Sequence, residues 1–465
     1  MRPKYQKLLG NSVIFAIGNL GSKLVNFLLV PLYTYALSTR QFGLVDLITA
    51  TVSVAAPIIS LSISDAVFRF AMDKFENKSR IFTNSLFFAI VTGALSFLAL
   101  PLLLWIHVPF GVFLLTITFL TNIFSILQNF VRAVGRVKVF ALAGIVGTIV
   151  LGASNILLLM IFHLGVDGYL WSILFSILFS IFFVVFASHI WCYIKISALS
   201  LRDITRFLKY SIPLIPNGLS WWLTNDASRF FILFFVGVSG NGLFAVANKI
   251  PTILNVLFSI FAQAWQISAI DEFANKNSEK FYSKVFDLLI SFSFILVAVF
   301  TLLIHPFMFL YVSPKFYSAW QFVPMLLLAA TYSNFSSFLG TAYLAAKKTS
   351  GILITTMSGM AVNLLVSLTL IPQIGVHGAG IGGALGFLVA SLIRLYQTRS
   401  FIKITVNWQN AIFSQLLVLS MIFISLFKFD FHYTINIFLF ISLIVVNRRN
   451  LTDVFAKIIP LILRK

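Results

Sequence analysis

Residues 164–168, Leu-Gly-Val-Asp-Gly, recur 210 residues later as Ile-Gly-Val-His-Gly at 374–378. Each copy follows an apolar stretch that contains an asparagine, Asn155 in the first and Asn363 in the second. A second motif, Gln-Phe-Gly-Leu at 41–44, has a partner in Asn-Gly-Leu-Phe at 241–244. Two motifs repeated in the same order predict two related halves that run in the same direction.

The sequence around these motifs is too apolar for a water-soluble protein. Of its 465 residues, 60% are hydrophobic and only 10% are charged, whereas a soluble domain carries roughly 25% charged residues. The mean hydropathy is +1.00. Lipid can solvate such a surface, so the composition predicts an integral membrane protein. A single cysteine, Cys192, excludes a disulfide framework and a cysteine-based metal site.

Fourteen apolar segments are long enough to cross a bilayer, which takes about 20 helical residues. They lie near 12–36, 44–66, 81–106, 110–131, 139–162, 169–194, 211–236, 243–269, 286–311, 320–345, 351–371, 377–398, 410–427 and 431–447. The first is too long for a signal peptide, so we predict that it is retained. The predicted fold is all-α, with about 14 transmembrane helices. Its parts are a six-helix bundle over 1–195, a cytoplasmic linker over 196–210, a second six-helix bundle over 211–400, and two extra helices with a basic tail over 401–465.

Basic residues are crowded into alternate connections between these segments. The chain has 33 Lys and Arg against 13 Asp and Glu, a net charge of +20. With the N-terminus in the cytoplasm, the outside loops hold only Arg40, Lys315 and Lys428. Cytoplasmic loops of membrane proteins collect Lys and Arg, so this predicts an even number of spans with both termini inside. It also accounts for the positive charge without nucleic acid as a partner. The residues assigned to the cytoplasm are Arg2, Lys4, Lys7, Arg69, Lys74, Lys78, Arg80, Arg132, Arg136, Lys138, Lys195, Arg202, Arg206, Lys209, Lys276, Lys280, Lys284, Lys347, Lys348, Arg394, Arg399, Lys403, Arg448, Arg449, Lys457, Arg464 and Lys465.

Charged side chains inside membrane helices are energetically costly, which makes them candidates for function. They fall in the opening helices of both predicted halves, with polar neighbours. The candidate substrate-binding residues are Lys23, Asn26, Asn225, Asp226, Arg229 and Lys249. Three positive charges against one negative charge predict a cationic cavity that favours an anionic group such as a diphosphate.

A purely structural interpretation of the same charges also stands. Asp226 and Arg229 lie three residues apart, on one face of a helix, and can neutralise each other. Lys249 can extend its ammonium group to the membrane surface.

Enzyme and cofactor motifs are absent from the sequence. It contains no G-x-x-x-x-G-K-[ST] phosphate loop and no H-E-x-x-H metal motif. The six histidines are scattered near helix ends, without metal-ligand spacing. We therefore predict a protein that is not an enzyme and uses no cofactor.

Four stretches of this chain resemble a known family. They are Phe-Gly-Leu at 42–44, Asp-Ala-Ser-Arg-Phe at 226–230, Gly-Leu-Phe-Ala-Val-Ala-Asn-Lys at 242–249, and the segment from Asn363 through Ile-Pro-Gln-Ile-Gly-Val-His-Gly-Ala at 371–379. The chain is similar, from about residue 8 to residue 400, to the bacterial polysaccharide repeat-unit (Wzx-type, O-antigen or capsule) flippases. Their superfamily also contains the MATE drug exporters and the lipid II flippases.

The resemblance implies two six-helix bundles around a central cavity that opens alternately to each side of the bacterial plasma (inner) membrane. It implies a substrate of undecaprenyl diphosphate carrying an oligosaccharide, flipped from the cytoplasmic to the outer face. Lys23, Arg229 and Lys249 would then contact the diphosphate, while Asp226 orients Arg229 or couples transport to a proton or sodium ion. Membrane lipid and other polysaccharide assembly proteins are the implied partners.

Two other functions compete with flipping. A MATE-type, ion-coupled exporter of small molecules has twelve helices, and its cavity for cationic drugs would need net negative charge, whereas the basic residues inside these helices outnumber the acidic ones. A membrane-embedded polysaccharide polymerase or acyltransferase belongs to a different class. It would be expected to show a large outside loop or clustered catalytic residues, and the sequence shows neither.

Overall fold

The computed structural model describes residues 21, 23–73, 75–273, 275, 277–346, 348, 350–427 and 431–462. These residues form helices and connecting turns. After a helical segment over 23–28, the α-helices are α1 (Val30–Ala36), α2 (Thr39–Ile59), α3 (Ile63–Ala71), α4 (Lys78–Ser96, continued by Leu100–Trp105), α5 (Gly111–Ala133), α6 (Val137–Asn155), α7 (Gly165–Ser188), α8 (Leu201–Ser211), α9 (Ile215–Phe235), α10 (Val238–Ala247), α11 (Lys249–Glu272), α12 (Ser278–Tyr311), α13 (Val323–Ala345), α14 (Ser350–Ile374), α15 (Val376–Thr398), α16 (Trp408–Phe427) and α17 (His432–Ile462).

The helices of this part of the chain confirm an all-α, multi-pass membrane protein. Eleven segments are long and apolar enough to cross a membrane, or up to twelve if the bent pair Pro314–Gln321 and Val323–Ala345 is one span. Helix α9 is not among them, because Asp226 and Arg229 lower its hydropathy. The first predicted span, 12–36, begins outside the described residues. The number fourteen therefore stays a prediction.

The predicted helix over 44–66 is wrong at its C-terminal end. Helix α2 stops at Ile59, and Leu61 and Ser62 adopt positive φ angles of 48° and 52° before α3 begins. The Pro57 carbonyl accepts from the Ser62 amide at 2.8 Å, five residues on, whereas a continuing α-helix would pair it with the amide four residues on. Hydropathy cannot reveal this break, since the residues on both sides of it are apolar.

The chain forms two compact units, Met1–Asp226 and Ala227–Lys465. In the first unit, apolar residues collect in two clusters at opposite ends of the helices. One cluster joins the N-terminal parts of α2, α5 and α7, and the other joins α3 and the start of α4 to the C-terminal parts of α5 and α7. The helices therefore run back and forth between two ends. The predicted domain boundaries remain predictions.

The second of these ends carries the basic residues that the sequence assigned to the cytoplasm. The Arg132 guanidinium lies 4.7 Å from the ring centroid of Phe68, and that of Arg206 lies 4.6 Å from the ring of Phe70. Arg206 also forms an ion pair with Glu76 at 2.6 Å. Aromatic and acidic neighbours thus hold Arg132 and Arg206 at this end.

The segment predicted as a linker is folded onto this same end. The Asn84 side-chain amide donates to the Ala198 carbonyl at 2.9 Å and accepts from the Ser200 amide at 2.7 Å. Helix α8 follows, with Ile204 and Phe207 buried and its basic side chains exposed. The linker is therefore a surface helix attached to α4, as its spacing of apolar residues allows.

The first glycine of each repeated motif has a positive φ angle. Gly165 and Gly375 have φ angles of 57° and 62°, which glycine adopts without steric strain. A Cβ atom at Gly168 or Gly378 would lie 3.1 Å or 2.6 Å from backbone atoms of the helical segment before the turn. Both motifs thus close a tight helical hairpin, α6–α7 in the first unit and α14–α15 in the second.

The last two helices are joined by buried amide side chains. Asn447 is fully buried and donates to Ser414 at 2.9 Å, and Asn410 donates to Asn447 at 3.1 Å. Nearer the turn, Asn436 donates to Ser425 at 2.9 Å. Hydrogen bonds of this kind hold membrane helices together, because lipid offers no competing partner.

Candidate functional site

Lys23 and Asn26 are exposed side chains on the first helical segment of the described chain. They stand three residues apart, so they share one face of the helix. Among the described residues, no acidic side chain forms an ion pair with Lys23. This position can therefore present a positive charge and an amide to an anionic, hydrogen-bonding group.

Helix α9 carries the next three candidates. Asn225 is exposed, while Asp226 and Arg229 are half-buried. The Arg229 guanidinium lies 5.9 Å from the ring centroid of Phe244 on α10. This cation–π distance places Arg229 beside the repeated motif at 241–244.

Lys249 is the first residue of α11, directly after Asn248 ends the hydrogen-bonding of α10. The two helices together give one candidate membrane span, Val238–Ala262, which overlaps the predicted segment 243–269, and Lys249 is half-buried where they meet. Arg229 and Lys249 belong to the second unit, whereas Lys23 and Asn26 belong to the first. The grouping of all these residues in one cavity remains a prediction.

The N-terminal part of α9 is anchored within the first unit. The Trp222 indole donates to the Ala50 carbonyl and to the Ser53 hydroxyl on α2, both at 3.1 Å. This contact holds the helix that bears Asn225 and Asp226 against α2.

Arg394, which was counted among the cytoplasmic cations from the sequence, is a buried side chain. It lies inside α15 and is only 6% exposed. Its Nε donates to the Thr355 hydroxyl at 2.9 Å, and its Nη1 donates to the Ser336 carbonyl at 2.6 Å. Hydropathy carries no information about the neighbours of an arginine near a helix end, so it could not foresee a guanidinium enclosed by neutral oxygens.

The asparagines that precede the repeated glycine motifs are both buried. Asn155 is fully buried and donates to the Tyr33 hydroxyl at 3.3 Å, and the Tyr33 ring packs edge-on against Tyr169 at 4.8 Å. In the second unit, Asn363 accepts from Ser367 at 3.0 Å. The sequence repeat pointed to these two asparagines. In the structure, each asparagine side chain contacts helix residues of its own unit.

The described residues contain no group of three or more His, Cys, Asp or Glu side chains that could hold a metal ion. The candidate residues are cations, amides and one acid, a set suited to binding an anion.

The family is decided by comparison with known sequences. A family model described as polysaccharide biosynthesis protein matches residues 8–266, more than half of the 465 residues. The chain belongs to the polysaccharide biosynthesis protein family. Comparison with curated proteins gave no match.

Solved structures with the same fold are transporters and a flippase. The lipid II flippase MurJ in an inward closed conformation is 14% identical, with a TM-score of 0.69 over 96% of this chain and 100% of that chain. An inward-facing MATE family multidrug resistance transporter is 16% identical, with a TM-score of 0.66 over 83% and 93%. A MOP superfamily transporter from Pyrococcus furiosus, described as having a binding pocket of reverse polarity, is 16% identical, with a TM-score of 0.59 over 85% and 95%. At these identities the likeness concerns the fold alone.

Proposed function

We propose that this protein flips an undecaprenyl diphosphate-linked oligosaccharide from the cytoplasmic to the outer face of the bacterial plasma membrane. Membership of the polysaccharide biosynthesis protein family, in a chain with a transporter fold, carries this proposal. Such a substrate bears charged phosphates and sugars, and taking an ionised group unpaired into hydrocarbon costs roughly tens of kcal/mol. A protein cavity must therefore accept the polar part while the lipid tail stays in the bilayer.

The cationic candidates suit the diphosphate. Lys23 is exposed on its helix, and Arg229 is held beside the Phe244 ring. We assign diphosphate contact to Lys23, Arg229 and Lys249, and sugar hydroxyl contact to Asn26 and Asn225. Arginine can bind two phosphate oxygens at once, and a lysine adds a compact point charge.

Asp226 receives a different role in this proposal. It precedes Arg229 by three residues on α9, on the same side of the helix. A carboxylate there orients the guanidinium, or exchanges a proton or sodium ion during transport. Alternating access would carry the charged group past the bilayer midplane without exposing it to lipid.

Ion-coupled export of a small molecule is the second candidate, because the fold is also that of MATE transporters. The charge balance distinguishes the two. Lys23, Arg229 and Lys249 outnumber Asp226, which favours an anionic cargo over a cationic drug.

The sidedness of lipid-linked oligosaccharide in cells lacking this gene tests the proposal. We expect the intermediate to accumulate on the cytoplasmic face and to be cleared when the intact gene is restored. An intermediate that reaches the outer face normally without this protein would refute glycolipid flipping, and small-molecule export would be tested next.

A further inference from the structure

A cavity of about 590 Å³ lies at one end of the second unit, where α13 and α15 end and α14 begins. Lys348 and Arg399 line it, together with Tyr343, Tyr396, Gln397 and Phe401. Both cations belong to segments that the sequence assigned to the cytoplasm. This cavity is separate from the residues proposed to contact the transported diphosphate.

The two cations are positioned by aromatic rings. The Lys348 ammonium lies 5.0 Å from the Phe401 ring centroid, and the Arg399 guanidinium lies 5.9 Å from that of Tyr396. Tyr343 packs edge-on against Phe401 at 5.2 Å. Its hydroxyl donates to the Gln397 side chain at 3.0 Å. Among the described residues that line the cavity, none is acidic. An aromatic ring thus contacts each cation, and no described carboxylate of the lining neutralises their charge.

The surroundings of the cavity are those of a membrane interface. Tyr396 is 72% exposed, and one turn earlier on α15 Leu392 is 44% exposed. On α14, one turn beyond the cavity, Ile354 is 57% exposed. Aromatic residues with a polar tip mark the headgroup level of membrane proteins, and exposed aliphatic residues face the acyl chains. Exposed apolar side chains therefore stand within one helical turn of residues that line the basic cavity.

We propose that this cavity binds the phosphate headgroup of an anionic phospholipid. Its volume falls in the range of about 300–1,000 Å³ typical of small-molecule sites. Basic pockets between membrane helices at the cytoplasmic side are suited to such headgroups. A soluble phosphate ester shares the same chemistry. Exposed Leu392 and Ile354, each one helical turn from a residue that lines the cavity, favour the lipid, because a soluble ester leaves such apolar side chains without a partner.

Native mass spectrometry of the delipidated, full-length protein in detergent tests this site. The probes are phosphatidylglycerol, phosphatidylcholine and glycerol 3-phosphate. The test variant is Lys348→Gln with Arg399→Gln, and the matched control is Arg202→Gln with Lys209→Gln, two exposed cations of α8 in the first unit.

We expect phosphatidylglycerol to bind the intact protein and the control alike, and the test variant at least about tenfold more weakly. Phosphatidylcholine should bind all three proteins equally weakly. Equal phosphatidylglycerol binding to the test variant and the control would overturn the site. Glycerol 3-phosphate binding as tightly as phosphatidylglycerol would overturn the lipid assignment and leave a soluble phosphate ester as the ligand.

Discussion

Replacing Arg394 with methionine should loosen the packing of α13, α14 and α15. The guanidinium is buried in α15 and joins it to both neighbours. Its donors reach the Thr355 hydroxyl at 2.9 Å, the Ser336 carbonyl at 2.6 Å and the Thr356 hydroxyl at 2.9 Å. Methionine has a similar length and no polar hydrogen, so the substitution removes these bonds without leaving a large cavity.

The expected loss follows from two opposed terms. Hydrogen bonds from a charged group contribute about 1.5–3 kcal/mol each, so three of them contribute about 4–9 kcal/mol. Burying a guanidinium among neutral acceptors costs several kcal/mol, which offsets much of this gain. Thr355 and Thr356 keep hydrogen bonds of 2.8 Å to backbone carbonyls of their own helix. We expect a net loss of about 2–3 kcal/mol, or on the order of 5 °C in apparent melting temperature.

Size-exclusion chromatography of heated, delipidated protein in detergent measures this loss as the fraction that stays monodisperse at each temperature. The matched control is Arg399→Met on the same helix, where the arginine is exposed and contacts one ring at 5.9 Å. We expect its melting temperature to stay within about 1 °C of the intact protein. Arg394→Lys should be intermediate, since lysine keeps the charge and loses the fork of donors. An unchanged Arg394→Met protein, or an equal drop in the Arg399→Met control, would refute the reasoning.

Three further outcomes are expected. Lys23→Ala or Arg229→Ala should lower glycan export in complemented cells while the protein stays inserted in the membrane. Lys23→Arg should retain export. Normal export by both alanine variants would refute the cationic-cavity hypothesis. Asn447→Leu should destabilise the α16–α17 pair by about 1–2 kcal/mol, because it removes buried hydrogen bonds between the helices. Thermal unfolding of this variant, compared with an exposed Ser442→Ala control, measures the loss of stability. A reporter fused after Lys465 should be found in the cytoplasm, and a reporter signal from outside the cytoplasm would contradict an even number of spans.

Most helices could be predicted because hydropathy is a sum over about 20 neighbouring residues. Nearly all predicted segments correspond to helices in the described part of the chain. The break inside an apolar stretch at Leu61 and Ser62 was missed. A break depends on backbone dihedral angles and on partners elsewhere, such as the Ser211 hydroxyl that donates to the Leu61 carbonyl at 2.7 Å.

The candidate site was predictable only in part. Lys23, Asp226, Arg229 and Lys249 stood out because a charge inside an apolar helix is visible in the sequence. The ring contact of Arg229 with Phe244 was not visible, since it joins two helices. The Lys348 and Arg399 cavity was hidden for a related reason. Its two cations belong to separate connections, and each looked like an ordinary cytoplasmic charge.

The sequence by itself determined that this chain is a helical, multi-pass membrane protein with a repeated glycine motif and with its basic residues concentrated in alternate connections. Those properties follow from local composition and spacing, which do not depend on where distant residues lie. Only the tertiary structure decided that Arg394 is enclosed by three helices, that the linker is attached to α4, and that two distant cations line one cavity. These features arise from contacts between residues far apart in the chain, so packing alone creates them.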